Sequence, residues 1–189
     1  TIFFEGKLKT NTDAQKYLEN RRLEAKTIQK FRIGFANDEW QELTDYLKGE
    51  GIKEDLIIKA GLAIKNEKGR VYDRFRGRII FPIFDDRGRV VAYSARILTE
   101  DKKTLHALPT GQAGGRQEPK YINSPETELF NKSKILYGFN FAKSTIRKHD
   151  FVILVEGQMD VLMAYQAGYT NTIASSGTSF TEDQLGLLK

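Results

Sequence analysis

The sequence predicts an α/β protein, in which an α+β N-terminal subdomain is followed by the first part of an α/β domain with a parallel sheet. Three observations predict this class. Residues 1–70 place apolar side chains at helical spacing, whereas residues 71–98 follow the two-residue period of strands. The last part of the chain alternates strand, helix, strand and helix, which is typical of a parallel sheet. We therefore expect one unit over 1–148, helical to residue 70 and then mixed and basic, and a second, incomplete unit over 149–189.

The composition excludes several classes of site. The 189-residue chain is 40% hydrophobic, which suffices for a core in one domain or two small ones. It has no cysteine, and its two histidines, His106 and His149, are too far apart in sequence to predict a histidine zinc site. No apolar run has the length of a membrane span and no signal peptide is visible, so we expect a cytoplasmic protein without a membrane partner. A net charge of +5 and a pI near 9.3 favour a polyanionic partner.

Two copies of one pattern make up most of the helical region. A capping box at Thr12–Gln15 is expected to open the first copy. Its residues Tyr17-Leu18, Leu23, Ile28, Lys30 and Ile33 recur twenty-nine positions later as Tyr46-Leu47, Ile52, Ile57, Lys59 and Leu62. Each copy predicts the end of one helix, a short polar turn and a second short helix. Two copies are too few for a solenoid, so we expect a structural packing unit.

The middle of the chain predicts a hairpin, a loop and a helix. A turn over Phe84–Val90 joins predicted strands at Ile79–Phe84 and Val90–Ser94. The polar stretch from Lys102 to Glu118 contains three glycines. It is interpreted as a mobile surface loop rather than a phosphate-binding loop, because no GKS or GKT sequence follows it and no strand leads into it. The role of the whole loop from Thr99 to Glu118 is left open. A helix is expected over Asn140–Lys148.

Three arginines precede the hairpin. If residues 74–78 form a strand, the side chains of Arg74, Arg76 and Arg78 share one face. Two interpretations remain open. The face could be solvated, with scattered ion pairs worth little each, or it could bind a phosphate-bearing partner, which would relieve the repulsion among three guanidinium groups. The nearby pair Lys120-Tyr121 favours single-stranded nucleic acid or nucleotides, since bases stack on rings while cations pair with phosphates.

An acidic motif follows the apolar run Phe151–Val155, which predicts a strand buried on both faces. Glu156 comes at the carboxyl end of this strand, and Asp160 lies in the first turn of a helix that should end before Gly168. Ligands of open parallel sheets bind beyond these strand ends, so the two carboxylates predict a divalent-metal site. The alternative for Asp160 is that it only complements the helix dipole. Glu156 directly abuts apolar residues and therefore needs a partner or a ligand.

The end of the sequence predicts a further helix. Residues Thr181–Gln184 form a capping box, and the apolar repeat behind them has barely begun at Lys189. We therefore expect the chain to be a fragment of a longer protein.

Four segments together resemble one family. Residues 72–83 and 119–127 resemble the RNA-polymerase core of bacterial DnaG-type primases, and residues 155–160 and 174–179 resemble the start of the toprim domain of that family. Their order and approximate spacing agree, and the resemblance covers essentially the whole chain. The Glu-Gly-x-x-Asp motif alone is shared with topoisomerases, recombination proteins and some nucleases, whereas the arginine segment and Pro-Lys-Tyr-x-Asn-Ser-Pro favour a primase. In this family glycines precede the residue that matches Arg96, and Ser94 and Ala95 replace them here.

The resemblance implies a DNA primase, a DNA-templated RNA polymerase that makes short RNA primers for replication by metal-assisted nucleotidyl transfer. It implies Glu156 as metal ligand and general acid/base and Asp160 as its acidic partner. The residues implied to bind nucleic acid or nucleotide are Arg74, Arg76, Arg78, Arg96, Lys120, Tyr121 and Asn123. The alternatives are another toprim enzyme, nuclease-like or topoisomerase-like, and a non-catalytic nucleic-acid-binding module.

The resemblance also implies cofactors and partners. The expected cofactor is Mg²⁺ or Mn²⁺, and zinc would belong only to a domain preceding Thr1. The expected partners are a single-stranded DNA template, NTPs and the RNA primer, with the replicative helicase and single-strand-binding protein engaged through regions absent here. The remaining metal ligands, an Asp-x-Asp motif, would follow Lys189, so we expect this chain alone to be inactive.

Overall fold

The computed structural model describes residues 1–98, 119–175 and 180–188. The helices are α1 (Ile2–Thr10), α2 (Thr12–Asn20), α3 (Ala25–Lys30), α4 (Glu42–Gly49), α5 (Glu54–Lys59), α6 (Phe139–His149), α7 (Gln158–Gln166) and α8 (Glu182–Gly186). The strands are β1 (Gly34–Ala36), β2 (Ala63–Lys65), β3 (Val71–Asp73), β4 (Arg78–Phe84), β5 (Val90–Ile97), β6 (Tyr121–Asn123), β7 (Ile153–Val155) and β8 (Thr172–Ala174). The sequence analysis predicts the class correctly, since helices and strands are mixed and β7 and β8 pair in parallel. The segment 99–118 and the motif residues 176–179 lie outside the described residues.

A four-stranded antiparallel sheet in the order β1-β4-β5-β6 forms the centre of the N-terminal part. The hairpin β4–β5 confirms the predicted turn, in which the Asp85 carboxylate accepts hydrogen bonds from the backbone N–H groups of Arg87 and Arg89. Strand β4 is buried over its whole length because alternate side chains enter two apolar clusters, Phe81 on one face and Ile80 on the other. This strand holds the sheet in the middle of the core.

The repeated helical pattern is confirmed as a repeated structure. In each copy a helix ends, a turn follows and a short helix leads into a strand, as in α2, α3 and β1 and again in α4, α5 and β2. The backbone repeats as well, because the N–H of Leu23 donates to Leu18 O and the N–H of Ile52 donates to Leu47 O, both at 3.0 Å. The first seventy residues are therefore not wholly helical, since β1 and β2 were missed. Strands of three residues are too short to show a period.

One predicted cap is displaced by a residue. Helix α2 begins at Thr12, and its cap is Asn11, whose side-chain oxygen accepts from Ala14 N at 2.9 Å. The capping box at Thr181–Gln184 is confirmed in both directions. Helix α6 confirms the helix expected over Asn140–Lys148, and Gly168, at φ 96°, follows the last turn of α7 as predicted.

The prediction that residues 74–78 form one strand with three arginines on a face is wrong. Strand β3 ends at Asp73, β4 begins at Arg78, and Gly77 between them has φ 59°. The intervening N–H groups donate to loops rather than to a strand partner, with Arg74 N bonded to Leu62 O at 2.9 Å and Gly77 N to Asn37 O at 3.2 Å. We call residues 74–77 the arginine connection.

The prediction that the apolar run before Glu156 is buried on both faces is also wrong. Strand β7 has only three residues, and the side chains of Leu154 and Phe151 are 48% and 55% exposed. Val155 packs into the main core, so one face is covered. Unlike β4, which is buried throughout, β7 leaves Leu154 on its other face about half exposed. An apolar run signals a strand, but what covers it depends on the rest of the fold.

One apolar core spans both ends of the chain. It includes Leu18 of α2, Phe31 after α3, Phe81 of β4 and Leu162 of α7. The boundary between residues 148 and 149 remains a prediction. Among the described helices, none is long and apolar enough to cross a membrane.

Candidate functional site

The arginine connection lies against the edge strand β6. The Arg74 guanidinium donates from Nε and Nη2 to the backbone oxygen of Asn123, at 3.1 and 2.9 Å. Burial lowers the pKa of Arg74, but the group stays charged because arginine has the highest ordinary pKa of the side chains. The side-chain oxygen of Asn123 is buried, and no group of the described residues donates to it. The structure thus brings together Arg74 and Asn123, two of the residues that the resemblance implies for binding.

Arg76 stacks on aromatic rings at the other end of the connection. Its guanidinium carbon lies 4.1 Å from the ring centroid of Trp40 and 5.4 Å from that of Tyr72, and Nη1 donates to Asp73 O at 2.6 Å. Arg78 differs, because only 3% of it is exposed and its Nη1 donates to Pro119 O at 3.0 Å. Arg78 is therefore a buried support for the backbone just before Lys120.

A buried carboxylate fixes the start of the arginine connection. Asp73 Oδ2 accepts from the N–H of Leu43 at 2.7 Å, and Oδ1 accepts from the N–H of Thr44 at 2.9 Å and from its hydroxyl. These bonds cap the first turn of α4. Burial raises the pKa of Asp73, while the hydrogen bonds to Thr44 and Leu43 act in the opposite direction. Asp73 thereby joins the second helical copy to the arginines that follow it.

Arg96 and Tyr121 face each other across β5 and β6. The two residues are paired in the antiparallel register, which sets them side by side. Arg96 is 3% exposed, and its guanidinium carbon lies 4.6 Å from the Tyr17 ring centroid and 6.0 Å from that of Tyr121. Ser94 and Ala95, which replace the glycines expected by resemblance, are accommodated as buried residues of a regular strand. The substitution leaves Arg96 in extended backbone.

Arg21 packs on the same Tyr17 ring as Arg96, and the sequence analysis missed it. We call Arg21, Arg96, Tyr17 and Tyr121 the arginine–tyrosine cluster. Its guanidinium carbon lies 5.5 Å from the Tyr17 ring centroid, at the C-terminal end of α2. Burial raises the pKa of Tyr121, Arg96 and Arg21 lower it, and Asp160 raises it. Charged groups of α2, β5 and the acidic motif therefore all influence the pKa of one phenol. The available signal was that the second helical copy has Glu50 where the first has Arg21, but a basic residue at a helix end predicts no site by itself.

The acidic motif, Glu156 and Asp160, lies near the arginine–tyrosine cluster, since Asp160 acts on Tyr121. Glu156 lies at the carboxyl end of β7, as predicted, but it is exposed, so burial does not oblige it to have a partner or a ligand. Asp160 Oδ2 accepts from the N–H of Gly157 at 3.1 Å, so one oxygen caps α7, in agreement with the helix-terminus interpretation. No three acidic or histidine side chains gather anywhere in residues 1–98, 119–175 and 180–188. Two exposed carboxylates fit a hard cation that keeps water and phosphate oxygens as its other ligands.

Comparisons with known proteins place the whole chain in one family. The model of the DNA primase catalytic core, N-terminal domain, matches residues 3–143, and that of the Toprim domain matches residues 150–189. The DNA primase of Clostridium acetobutylicum is 42% identical over 188 residues, which are 99% of this chain and 28% of the relative. The DNA primase of Escherichia coli is 39% identical over 177 residues, 94% of this chain and again 28% of the relative. The chain thus spans just over a quarter of these relatives.

Solved structures agree with the sequence comparison. A DnaG primase catalytic domain bound to single-stranded DNA has a TM-score of 0.83 and 38% identity, and the match covers 99% of this chain and 56% of that one. The RNA polymerase domain of Mycobacterium tuberculosis primase, in complex with a double-stranded DNA oligomer with a 6-nucleotide overhang, has a TM-score of 0.85 and 34% identity, over 99% of this chain and 55% of that one. On both sequence and fold, this chain belongs to the DNA primase family.

Proposed function

We propose that this chain supplies the template- and nucleotide-binding surface and the first acidic motif of a DNA primase. The observation that carries the proposal is the grouping of Arg96 and Arg21 on the Tyr17 ring beside Tyr121. The Asp160 carboxylate is near enough to raise the pKa of the Tyr121 phenol. Nucleotidyl transfer needs cations for phosphate and carboxylates for a metal in one place, and here residues far apart in sequence bring both charges together.

The acidic motif is proposed to hold the metal. Glu156 would be the ligand and Asp160, with the oxygen that does not cap α7, its acidic partner. The cofactor is proposed to be Mg²⁺ or Mn²⁺, which when bound would lower the pKa of the attacking 3′-hydroxyl and neutralise charge on the pyrophosphate. Lys120 is exposed beside Tyr121 and would meet the triphosphate, while the half-exposed Tyr121 ring would stack on a base.

The arginine connection is proposed to hold the single-stranded template. A guanidinium has five N–H donors, and the bonds of Arg74 to Asn123 O and of Arg76 to Asp73 O leave other donors for phosphate. Stacking on Trp40 orients Arg76 without neutralising it. Asn123 would act through its backbone oxygen, which orients the Arg74 guanidinium. Arg78 and Arg96 would act mainly through their buried positive charge.

The proposal is tested in a chimaera in which this chain replaces the segment that it matches in the Clostridium acetobutylicum primase. Wild-type chimaera should make RNA primers on single-stranded DNA with Mg²⁺. Glu156→Gln is nearly isosteric and should abolish synthesis without lowering the unfolding temperature. Glu128→Gln is the matched control, because Glu128 is an exposed carboxylate that pairs with Lys59 at the surface. Primer synthesis by Glu156→Gln at the wild-type rate would overturn the assignment.

A further inference from the structure

The last residue of α7 bonds to the turn between α2 and α3. Gln166 Oε1 accepts from the N–H of Glu24 at 2.7 Å, and Gln166 Nε2 donates to the backbone oxygen of Arg22 at 2.9 Å. The planar amide thus pairs with one backbone acceptor and one backbone donor at once, as a neighbouring strand would. More than 140 residues separate the two sides of this contact.

Side chains of α3, α6 and α7 also pack together next to Gln166. The Lys30 ammonium lies 5.6 Å from the Phe141 ring centroid and 5.7 Å from that of Tyr165. Phe31 meets Tyr165 edge to face, with centroids 5.1 Å apart. Ring packing of this kind gives attraction but tolerates sliding, because burial of apolar surface is not directional. The two hydrogen bonds of Gln166 are directional, and they therefore set the register of α7 along the turn.

The two elements joined by Gln166 carry opposite sides of the proposed site. Asp160 lies in the first turn of helix α7 and Gln166 is its last residue. A helix of nine residues is about 13 Å long. The turn begins at Arg21, next to Arg22, whose backbone oxygen accepts the bond. A shift of α7 at its C-terminal end is therefore transmitted to Asp160, which acts on the same phenol as Arg21.

We propose that Gln166 is a positioning residue, whose amide holds the Glu156–Asp160 motif in register with Arg21 and the Arg96–Tyr121 pair. The second helical copy shows that the turn does not need such a partner to form. Its corresponding atoms, Gly51 O and Lys53 N, receive no side-chain amide within the described residues, yet the turn has the same backbone bonds. The role of Gln166 rests on the proposed function, but the register that it sets is measurable without catalysis.

The experiment compares Gln166→Met with Gln15→Met. Methionine keeps the length and apolar packing of the side chain and removes its hydrogen bonds. Gln15 is a matched control, since its Nε2 donates to Leu8 O at 3.0 Å and Lys9 O at 2.8 Å, both inside the first two helices. Gln166→Glu is a second variant, which keeps the acceptor for Glu24 N and loses the donor to Arg22 O.

The first measurement is the amide NMR spectrum of this chain. The Gly157 and Asp160 signals report the start of α7, and they should move in Gln166→Met, move less in Gln166→Glu and stay in place in Gln15→Met. Unchanged signals in both Gln166 variants would overturn the proposal, as would equal changes in Gln15→Met.

The second measurement is primer synthesis by the chimaera. Gln166→Met should lower kcat about tenfold or more, because misplacement of reacting groups by about an ångström costs on the order of 100-fold. Its affinity for single-stranded DNA and that of Gln15→Met should equal the wild-type value. A kcat unchanged by Gln166→Met would refute the positioning role. An inactive wild-type chimaera would refute the proposed function instead, and the NMR comparison would still decide the register.

Discussion

The two helical copies share a backbone but differ in what they hold. In the first copy, residues 12–33, the left-handed positions that end its two helices are occupied by Arg22 (φ 59°) and Arg32 (φ 56°). In the second copy, residues 41–62, the same positions are Gly51 (φ 81°) and Gly61 (φ 69°). A left-handed residue other than glycine costs about 1 kcal/mol, so the first copy accepts strain that the second avoids.

The side chains explain part of this difference. Arg32 forms a two-bond ion pair with Glu5, from Nε at 3.0 Å and Nη2 at 2.9 Å, and so ties the first copy to α1. Gly61 instead lets Pro125 approach, since a Cβ there would lie 2.5 Å from the proline Cδ. Nothing in the structure explains the side chain of Arg22, because only its backbone is engaged by Gln166.

The two copies therefore repeat their backbone without repeating their role. The first copy presents Arg21 to the site and receives α7, whereas the second anchors the arginine connection through Asp73. Three predictions test this difference between the two copies.

The largest effect on stability is expected when Gly61 of the second copy is replaced by arginine, the residue at the equivalent position 32 of the first copy. Gly61→Arg combines left-handed strain with a collision against Pro125 and should lower the free energy of unfolding by about 3 kcal/mol. Gly51→Arg is the control, because a Cβ at Gly51 meets nothing within 4 Å, and it should cost only about 1 kcal/mol. Urea unfolding of both variants measures the difference. Equal losses would show that the contact with Pro125 does not distinguish the two positions.

An intermediate effect is expected in the arginine connection. Replacement of Arg74 and Arg76 by alanine should flatten the slope of log affinity for single-stranded DNA against log salt by roughly one to two, since each neutralised phosphate contributes about 0.7. Fluorescence anisotropy of a labelled oligonucleotide across a salt series measures it.

The matched control for that slope is the double replacement by lysine. It keeps both charges while losing the stacking of Arg76 on Trp40. The slope should stay at the wild-type value in this variant. An unchanged slope in the alanine variant would remove the connection from the binding surface. Tyr121→Ala should weaken binding with little change in slope, because a stacked ring releases no ions.

The smallest effect on stability at neutral pH is expected when Arg32 of the first copy is replaced by glycine, the residue at the equivalent position 61 of the second copy. In Arg32→Gly, relief of about 1 kcal/mol of strain should nearly offset loss of a partly exposed ion pair worth about 0–1 kcal/mol. The hydrogen bond from Arg32 lowers the pKa of Glu5. The pair therefore stabilises the fold above the ordinary carboxylate pKa, and this contribution is lost as pH falls through the lowered value.

Arg32→Gly should accordingly become more stable than the wild type in acid, by about the strain energy of 1 kcal/mol. Urea unfolding at neutral pH and below the carboxylate range tests it. A variant that is less stable at both pH values would mean that Arg32 contributes more than its pair with Glu5.

Local patterns were enough to predict many elements and part of the site. The hairpin β4–β5, helix α6 and the order β7-α7-β8 all follow from periodicity and turn residues. The spacing of Glu156 and Asp160 likewise placed one at a strand end and the other in a first helical turn. These features depend on neighbours a few residues away, which the sequence displays directly.

Periodicity, internal repetition and residue types were enough to predict the class of the fold, the repeated helical unit and the side chains that a phosphate and a metal would need. Tertiary packing, by contrast, established that residues 74–77 are a connection, that Arg78 and Arg96 are buried and that β7 has an exposed face. It also established that Gln166 bonds to the turn after α2 and that Arg21 lies on the Tyr17 ring, beside the Arg96–Tyr121 pair. The physical reason is that burial, backbone pairing and the summed effect of charges on Tyr121 depend on groups distant along the chain, whose approach no local period encodes.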